Sequence, residues 1–369
     1  MRHNAVRITV CGVLLVTAAC ASQLSPTLTP TPAPTAIPRE VISGMDAWLS
    51  QQSKDGNFSG SVLVARQDDV LLNQGYGLAD RQHNIPNTAQ TRFRLGSITK
   101  QFTAMAILIL AARGKLNVAD PICNYIADCP ATWVGITIDH LLTHTSGLPD
   151  LLSLPGYWST LATPSPPEQT IARFKDLPLD FQPGETWSYS NSGYIVLGYI
   201  IEQASGQSYE DFLQQSIFTP LNLRDTGYDH NSNSLAVGYP DQDSTEPAEF
   251  IDMSIPYAAG ALYSTVEDLY HWEQALSTEQ LVPRVYLDEM FAPHAAIPHR
   301  WSSAYGYGWF IAKERGRTLN LHGGEIPGFT TVIARYPDDH VTIIVLSNQQ
   351  NIDIGRIQDF LSKKIFGDK

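Results

Sequence analysis

Cysteine is scarce in this chain, with four in 369 residues, and two of those, Cys11 and Cys20, fall within the first twenty positions. A metal cluster built on thiolates therefore has little to draw on. His140 and His144 in "DHLLTHTSG" have helical ligand spacing, but no Glu follows the first His and no third ligand stands nearby, so no metal is expected. Basic residues are short as well, 24 Lys and Arg against 37 Asp and Glu, a formal net charge of −13. Setting aside Arg2 and Arg7 leaves 22 against 37, or −15. Such a surface repels nucleic acid and anionic head groups, which excludes both as partners of the folded domain. The apolar run at residues 8–19 is too short to cross a bilayer. A Gly-x-Ser-x-Gly elbow is missing altogether, which argues against an α/β-hydrolase, and there is no internal repeat.

What is present at the N-terminus reads as export machinery. Arg2, His3 and Arg7 precede the short apolar run, the pattern of a secretory signal over residues 1–19. The run ends "LLVTAAC", two small residues before Cys20, so lipidation of Cys20 is expected, with ordinary cleavage as the alternative because Thr17 stands where such sites usually carry Leu. Residues 20–38 are rich in Pro, Thr and Ser without apolar periodicity, a spacer rather than a folded segment. The chain thus reads as a cell-envelope protein whose contact with membrane is confined to an N-terminal anchor. In that oxidising setting Cys123 and Cys129 in "CNYIADC" read as a local disulfide, the alternative being two free buried thiols.

From residue 39 onward the order of elements is unusual. A short helix near 41–53 is followed by two strand-like runs, "GSVLVAR" and "VLLNQGYG", joined by a tight turn at Gln67, Asp68 and Asp69. Helical or loop-rich sequence then dominates to about residue 300, including "GYIVLGYIIEQASG" and "STVEDLYHWEQAL". Strands return in "YGWFIAK", "RTLNLHG", "FTTVIARYP" and "HVTIIVLSN", and a last helix starts near Asp353. The simplest closure pairs the N-terminal hairpin with the C-terminal strands in one antiparallel sheet covered by the terminal helices. This is an α/β (α+β) domain over 39–369. Its sheet lobe comes from about 40–100 and 300–369, its helical lobe from about 101–299, with a cleft between the two.

One stretch breaks a physical rule. In "FRLGSITKQFTAMAILILAARGKL" a nearly all-apolar helix begins just after Gly96, and Lys100 occupies its first turn. A cation there opposes the helix dipole, and burying an ammonium against an apolar face is unfavourable again. Read blandly, Ser97 caps the helix, but a capping box calls for Glu or Gln where Lys100 stands. A chemical role accounts for the cation. Three residues apart on one helical face, the Lys100 amine reaches the Ser97 hydroxyl, and desolvation lowers its pKa toward that of a base. Two further motifs bear on the choice: Tyr189-Ser190-Asn191 opens an apolar helix, and His322-Gly323-Gly324 stands at the end of a predicted strand. Alone, the first reads as a buried phenol and a helix cap, the second as a strand-end turn.

Taken in this order and spacing, the three motifs resemble those of the serine β-lactamase and penicillin-recognising DD-peptidase family, in its class C-like branch. "ITIDHLLTHTSGLP", "PGETWSYSNSGYIVLGYIIEQASG" and "AAGALYSTVEDLYHW" read like segments of that family too, so the likeness covers about residues 40–365. It implies the β-lactamase/transpeptidase-like fold and an acyl-enzyme cycle without metal or organic cofactor. Ser97 would be the nucleophile, Lys100 the base or proton relay, and Tyr189 the phenol that exchanges protons with serine and leaving group. Asn191 would hold the substrate carbonyl side, and His322, Gly323 and Gly324 would form the third motif. The backbone N–H groups of Ser97 and Glu325 would make the oxyanion hole. His140, His144 and Ser146 carry no implied catalytic role. The departure lies in the third motif, which is Lys-Thr-Gly or Lys-Ser-Gly in many relatives: His322 replaces Lys, and Gly323 replaces the hydroxyl residue that holds a substrate carboxylate. The expectation is therefore a serine hydrolase acting on an ester or a small peptide-like amide. The alternatives are a D-Ala-D-Ala carboxypeptidase or class C-like β-lactamase, and a catalytically silent surface binder. Should a carboxylate be bound after all, Arg335 on the next strand is the first candidate to hold it.

Overall fold

The structure is a computed structural model that describes residue 1 and residues 37–298 and 303–367. Residues 2–19 of the expected signal, Cys20 and all but the last two residues of the expected spacer lie outside the described residues. Residues from 37 onward form one compact unit.

In chain order the principal elements are α1 (Arg39–Lys54), β1 (Gly60–Arg66), β2 (Asp69–Tyr76), α2 (Thr99–Ala112), α3 (Asn191–Ser205), α4 (Val266–Ala275), β3 (Ala295–Ala296), β4 (Ala304–Tyr305), β5 (Phe310–Glu314), β6 (Arg317–Ile326), β7 (Phe329–Tyr336), β8 (Val341–Ser347) and α5 (Ile354–Phe366). They assemble an eight-stranded sheet in the order β2-β1-β8-β7-β6-β5-β4-β3, with antiparallel neighbours throughout. The N-terminal hairpin closes onto the C-terminal strands through β1 and β8, with Val62 opposite Val345 and Val64 opposite Ile343. The sequence expectation is met in topology, and the hairpin turn is tighter than expected: Arg66 pairs with Asp69, so only Gln67 and Asp68 lie in the turn.

Both faces of the sheet are covered, which is why residues 343–346 of β8 read as a continuous apolar run instead of alternating. Ile344 and Leu346 face the helical lobe, while Ile343 and Val345 pack toward α1 and α5. Trp48 of α1 stacks on Phe360 of α5 at 3.9 Å between ring centroids, tying the two terminal helices together. In α2 every residue from Thr99 to Leu110 is buried, the signature of a helix enclosed by core on all sides. Sheet, α3 and α4 surround it, so its first turn emerges at the boundary between the lobes.

Two readings change with the structure. The strand expected to end at His322-Gly323-Gly324 continues to Ile326, because its ladder with β7 runs on to a turn at Pro327 and Gly328. Arg335 does not face the cleft. Its guanidinium is buried against Glu273 of α4 at 2.7 Å, so it is a lobe-joining ion pair and is unavailable to a substrate carboxylate.

In the helical lobe Cys123 and Cys129 are joined in a disulfide. Closing so short a loop restricts the unfolded chain by about 2 kcal/mol. Peptide mapping of the protein without reductant is expected to recover the two cysteines as one linked species; two alkylatable thiols would contradict it.

Candidate active site

Ser97 lies in a 3₁₀ turn, Gly96–Ile98, that runs directly into α2. Gly96 is required there twice over. Its φ is +54°, and a Cβ on it would sit 2.8 Å from the backbone nitrogen of Glu325 on β6. This close approach brings the helix start, with the Ser97 N–H, beside the Glu325 N–H. The β5–β6 ladder ends at Phe310 and Leu321, so residues 322–326 of β6 have no β5 partner along that edge. Gly324 backs the approach, since a Cβ there would collide with the Leu95 carbonyl at 1.9 Å.

The anomalous Lys100 is fully buried. Its Nζ lies 3.0 Å from Ser97 Oγ, 2.8 Å from Asn191 Oδ1 and 2.9 Å from the Ala259 carbonyl. Burial lowers its pKa to about 7, against the opposing pull of the Asp150 carboxylate. Two of these three partners, an amide oxygen and a backbone carbonyl, only accept hydrogen bonds. A neutral Lys100 amine must spend both its hydrogens on them, and its lone pair is then left pointing at the Ser97 hydroxyl. The Asn191 amide cannot flip, because the Asp150 carboxylate takes the Asn191 backbone N–H at 2.8 Å and the side-chain NH₂ at 3.2 Å.

Tyr189 hydrogen-bonds Ser97, and burial holds its phenol well above the ordinary tyrosine pKa, so it stays protonated. The Lys100 nitrogen also lies 4.9 Å from the Tyr189 ring centroid, within reach of its π face. Ser97 therefore sits between a lysine that titrates near neutrality and a phenol that does not.

His322 turns inward. Its Nδ1 lies 2.6 Å from the Gly323 carbonyl, and its Nε2 lies 2.9 Å from the Tyr305 hydroxyl. A carbonyl accepts only, so Nδ1 carries the proton and Tyr305 donates to Nε2. Burial and the nearby Lys100 lower the pKa of His322 to about 3, making it a neutral wall of the site. Gly323 is open: a Cβ there would meet only the Thr331 carbonyl, at an ordinary 3.4 Å.

Sequence reasoning missed three contributors. Asp150, just after the "HTSGLP" segment, orients Asn191; Tyr305 fixes the His322 tautomer; the Ala259 carbonyl anchors Lys100. His144, read from the sequence as structural, is buried with its ring centroid 4.3 Å from that of Tyr189 and its Nδ1 accepting the Ser190 N–H at 3.2 Å. It supports the Tyr189 loop from behind without touching Ser97. His140 instead caps the Ile138–Leu142 helix, its Nδ1 accepting the Thr137 N–H at 3.1 Å.

Fold and site together define a serine hydrolase of the acyl-enzyme type. Comparison with known proteins gives the same result: the Beta-lactamase family profile matches residues 45–360, and the chain belongs to that family. It is 31% identical to penicillin-binding protein 4* of Bacillus subtilis over 319 residues, 79% of this chain and 68% of that protein. Among solved structures, the octameric penicillin-binding protein homologue from Pyrococcus abyssi superposes with a TM-score of 0.78 at 28% identity, covering 88% of this chain and 77% of that one. The D-stereospecific amidohydrolase from a Streptomyces species superposes at 0.74 and 25% identity, covering 89% of this chain and 99% of its own.

Proposed function

We propose that this protein is an exported hydrolase of esters or small peptide-like amides that works through an acyl-enzyme on Ser97. Export rests on the signal-like residues 1–19, the spacer at 20–38 and the lipidation-type Cys20. The only membrane contact in this reading is that anchor, and the partner is a small molecule or short peptide. The arrangement of two acceptors and the Ser97 hydroxyl around Lys100 carries the chemistry. The serine proton passes to the neutral amine as Oγ attacks the carbonyl carbon, and charge developing on the carbonyl oxygen meets the N–H groups of Ser97 and Glu325. Tyr189 relays a proton to the leaving group as its bond to carbon breaks. Water then repeats the sequence and frees the acid. With Lys100 titrating near 7 and Tyr189 far above, the lysine is the base and the phenol the relay.

A carboxypeptidase or β-lactamase is the second reading, favoured by the penicillin-binding name of the Bacillus relative. The third motif opposes it. Gly323 has no side chain to hold a carboxylate, and His322 has both ring nitrogens engaged. Lys313, the one Lys or Arg among the described residues lining the cleft on that side, pairs opposite Thr318, five residues and roughly 16 Å along β6 from Gly323. A silent binder is opposed by the retained buried cation.

Comparison of kcat/KM for p-nitrophenyl butyrate and a chromogenic cephalosporin on one preparation is the test. The ester is expected to be faster by tenfold or more, since each missing hydrogen bond to a charged group costs about 1.5–3 kcal/mol. Gly323→Thr, which the open space at Gly323 accommodates, is expected to raise the cephalosporin value about tenfold and leave the ester value nearly unchanged. A cephalosporin faster than the ester on the unmodified protein would overturn the assignment.

A further inference from the structure

Two cavities meet at Ser97. One, of about 640 Å³, runs past Tyr189, His322, Gly323 and Asp150. The other, of about 290 Å³, adjoins it at Ser97 and is walled by Leu152, Tyr157, Trp158, Ile195, Ile251 and Ile255. Ser97, Leu152, Asn191 and Glu325 border both. Tyr189 lines only the larger one. A leaving group that takes its proton from Tyr189 must therefore depart through the larger cavity, and the acyl part must extend into the smaller.

We propose that the smaller cavity is the acyl-group site and that it selects a single apolar side chain of leucine to phenylalanine size. This rests on the hydrolase reading above. No Lys, Arg, His or Asp is among the described residues lining the cavity, and its one charged residue, Glu325, has an exposed side chain at the border. The volume is at the small end for ligand sites, which fits one ring or branched chain and not a long acyl tail. Its walls are held in place. Ile195 lies one helical turn beyond Asn191 on α3, so the amide that meets the substrate and the pocket floor share a face. The Asp252 N–H donates to the Leu161 carbonyl at 2.8 Å, binding the segment that carries Ile251 and Ile255 to the loop that carries Leu152 and Trp158. Trp158 stands at the mouth with 59% of its surface exposed, a large apolar ring that a seated side chain would cover.

Phosphonylation of Ser97 separates this inference from the reading beneath it. In p-nitrophenyl ethyl phosphonates the Ser97 oxygen bonds to phosphorus, the phosphorus–aryloxy bond breaks, p-nitrophenolate leaves, and the serine proton passes to Lys100 and then solvent. The group on phosphorus stands where an acyl chain would be: methyl for acetyl, benzyl for phenylacetyl. With the leaving group constant, the benzyl compound is expected to label Ser97 at least about tenfold faster than the methyl compound. Trp158→Ala, at an exposed position outside the catalytic machinery, is expected to slow benzyl labelling about fivefold and to keep methyl labelling within twofold. Ile255→Ala is expected to give the same selective loss. Equal rates for the two probes on the unmodified protein, or a Trp158→Ala effect of the same size on both, would overturn the acyl-site assignment while leaving Ser97 as the nucleophile. Failure of both probes to label Ser97 would overturn the hydrolase reading itself and the assignment with it.

Discussion

Ser97→Ala is expected to lose at least about a thousandfold in turnover of p-nitrophenyl butyrate and all labelling by a fluorophosphonate probe. The size of the loss follows from what the residue would do: without a nucleophile the acyl-enzyme cannot form, and only binding and oxyanion stabilisation remain for direct attack by water. The structure gives reason to expect that the variant folds. Gly96 makes the close approach to β6, and Lys100 keeps both of its acceptors, Asn191 Oδ1 and the Ala259 carbonyl. A melting temperature near that of the unmodified protein, together with lost labelling, would separate chemistry from stability. Activity retained within tenfold would show that another residue is the nucleophile.

The residues that announced this site in the sequence did so by breaking local rules. Lys100 was legible because an ammonium in the first turn of an all-apolar helix has no structural reason to be there. The sheet was legible too, since its strands sit in two blocks at the chain ends and the hairpin at residues 60–76 could close only onto the C-terminal block. Other parts left no local trace. One of the lysine's two acceptors is the Ala259 carbonyl, a backbone atom 159 residues away, and neither periodicity nor side-chain chemistry marks it. Tyr305 meets His322 only because β4, β5 and β6 are neighbours in the sheet. Arg335 was misjudged for a related reason. Its strand position was readable, but Glu273 on α4, whose carboxylate claims it, comes from a helix whose packing partner no local pattern discloses.

Replacement of Lys100 makes the second large prediction and bears on the base. Lys100→Met, similar in length and without charge, is expected to lower kcat/KM for p-nitrophenyl butyrate by about 10² to 10⁴, the usual contribution of a positioned general base. Lys100→Arg should lose as much despite keeping a cation, because a guanidinium cannot become a neutral base. The pH profile carries the sign. Burial brings the Lys100 pKa down to about 7, so the amine is neutral above that value and protonated below it. If the neutral form is the base, kcat/KM of the unmodified enzyme is flat above about pH 7 and falls tenfold per unit below it. The two histidines around the site are not the source of such a limb. His322 is held near 3 by burial and by Lys100, and burial with the same cation holds His144 well below its ordinary value, so both are neutral across the range. Nor is Tyr189, whose burial moves its ionisation upward, away from neutrality. The residual activity of Lys100→Met is accordingly expected to lose the limb near 7. A limb that persists unchanged in that variant would assign the titration, and with it the base, to a different group.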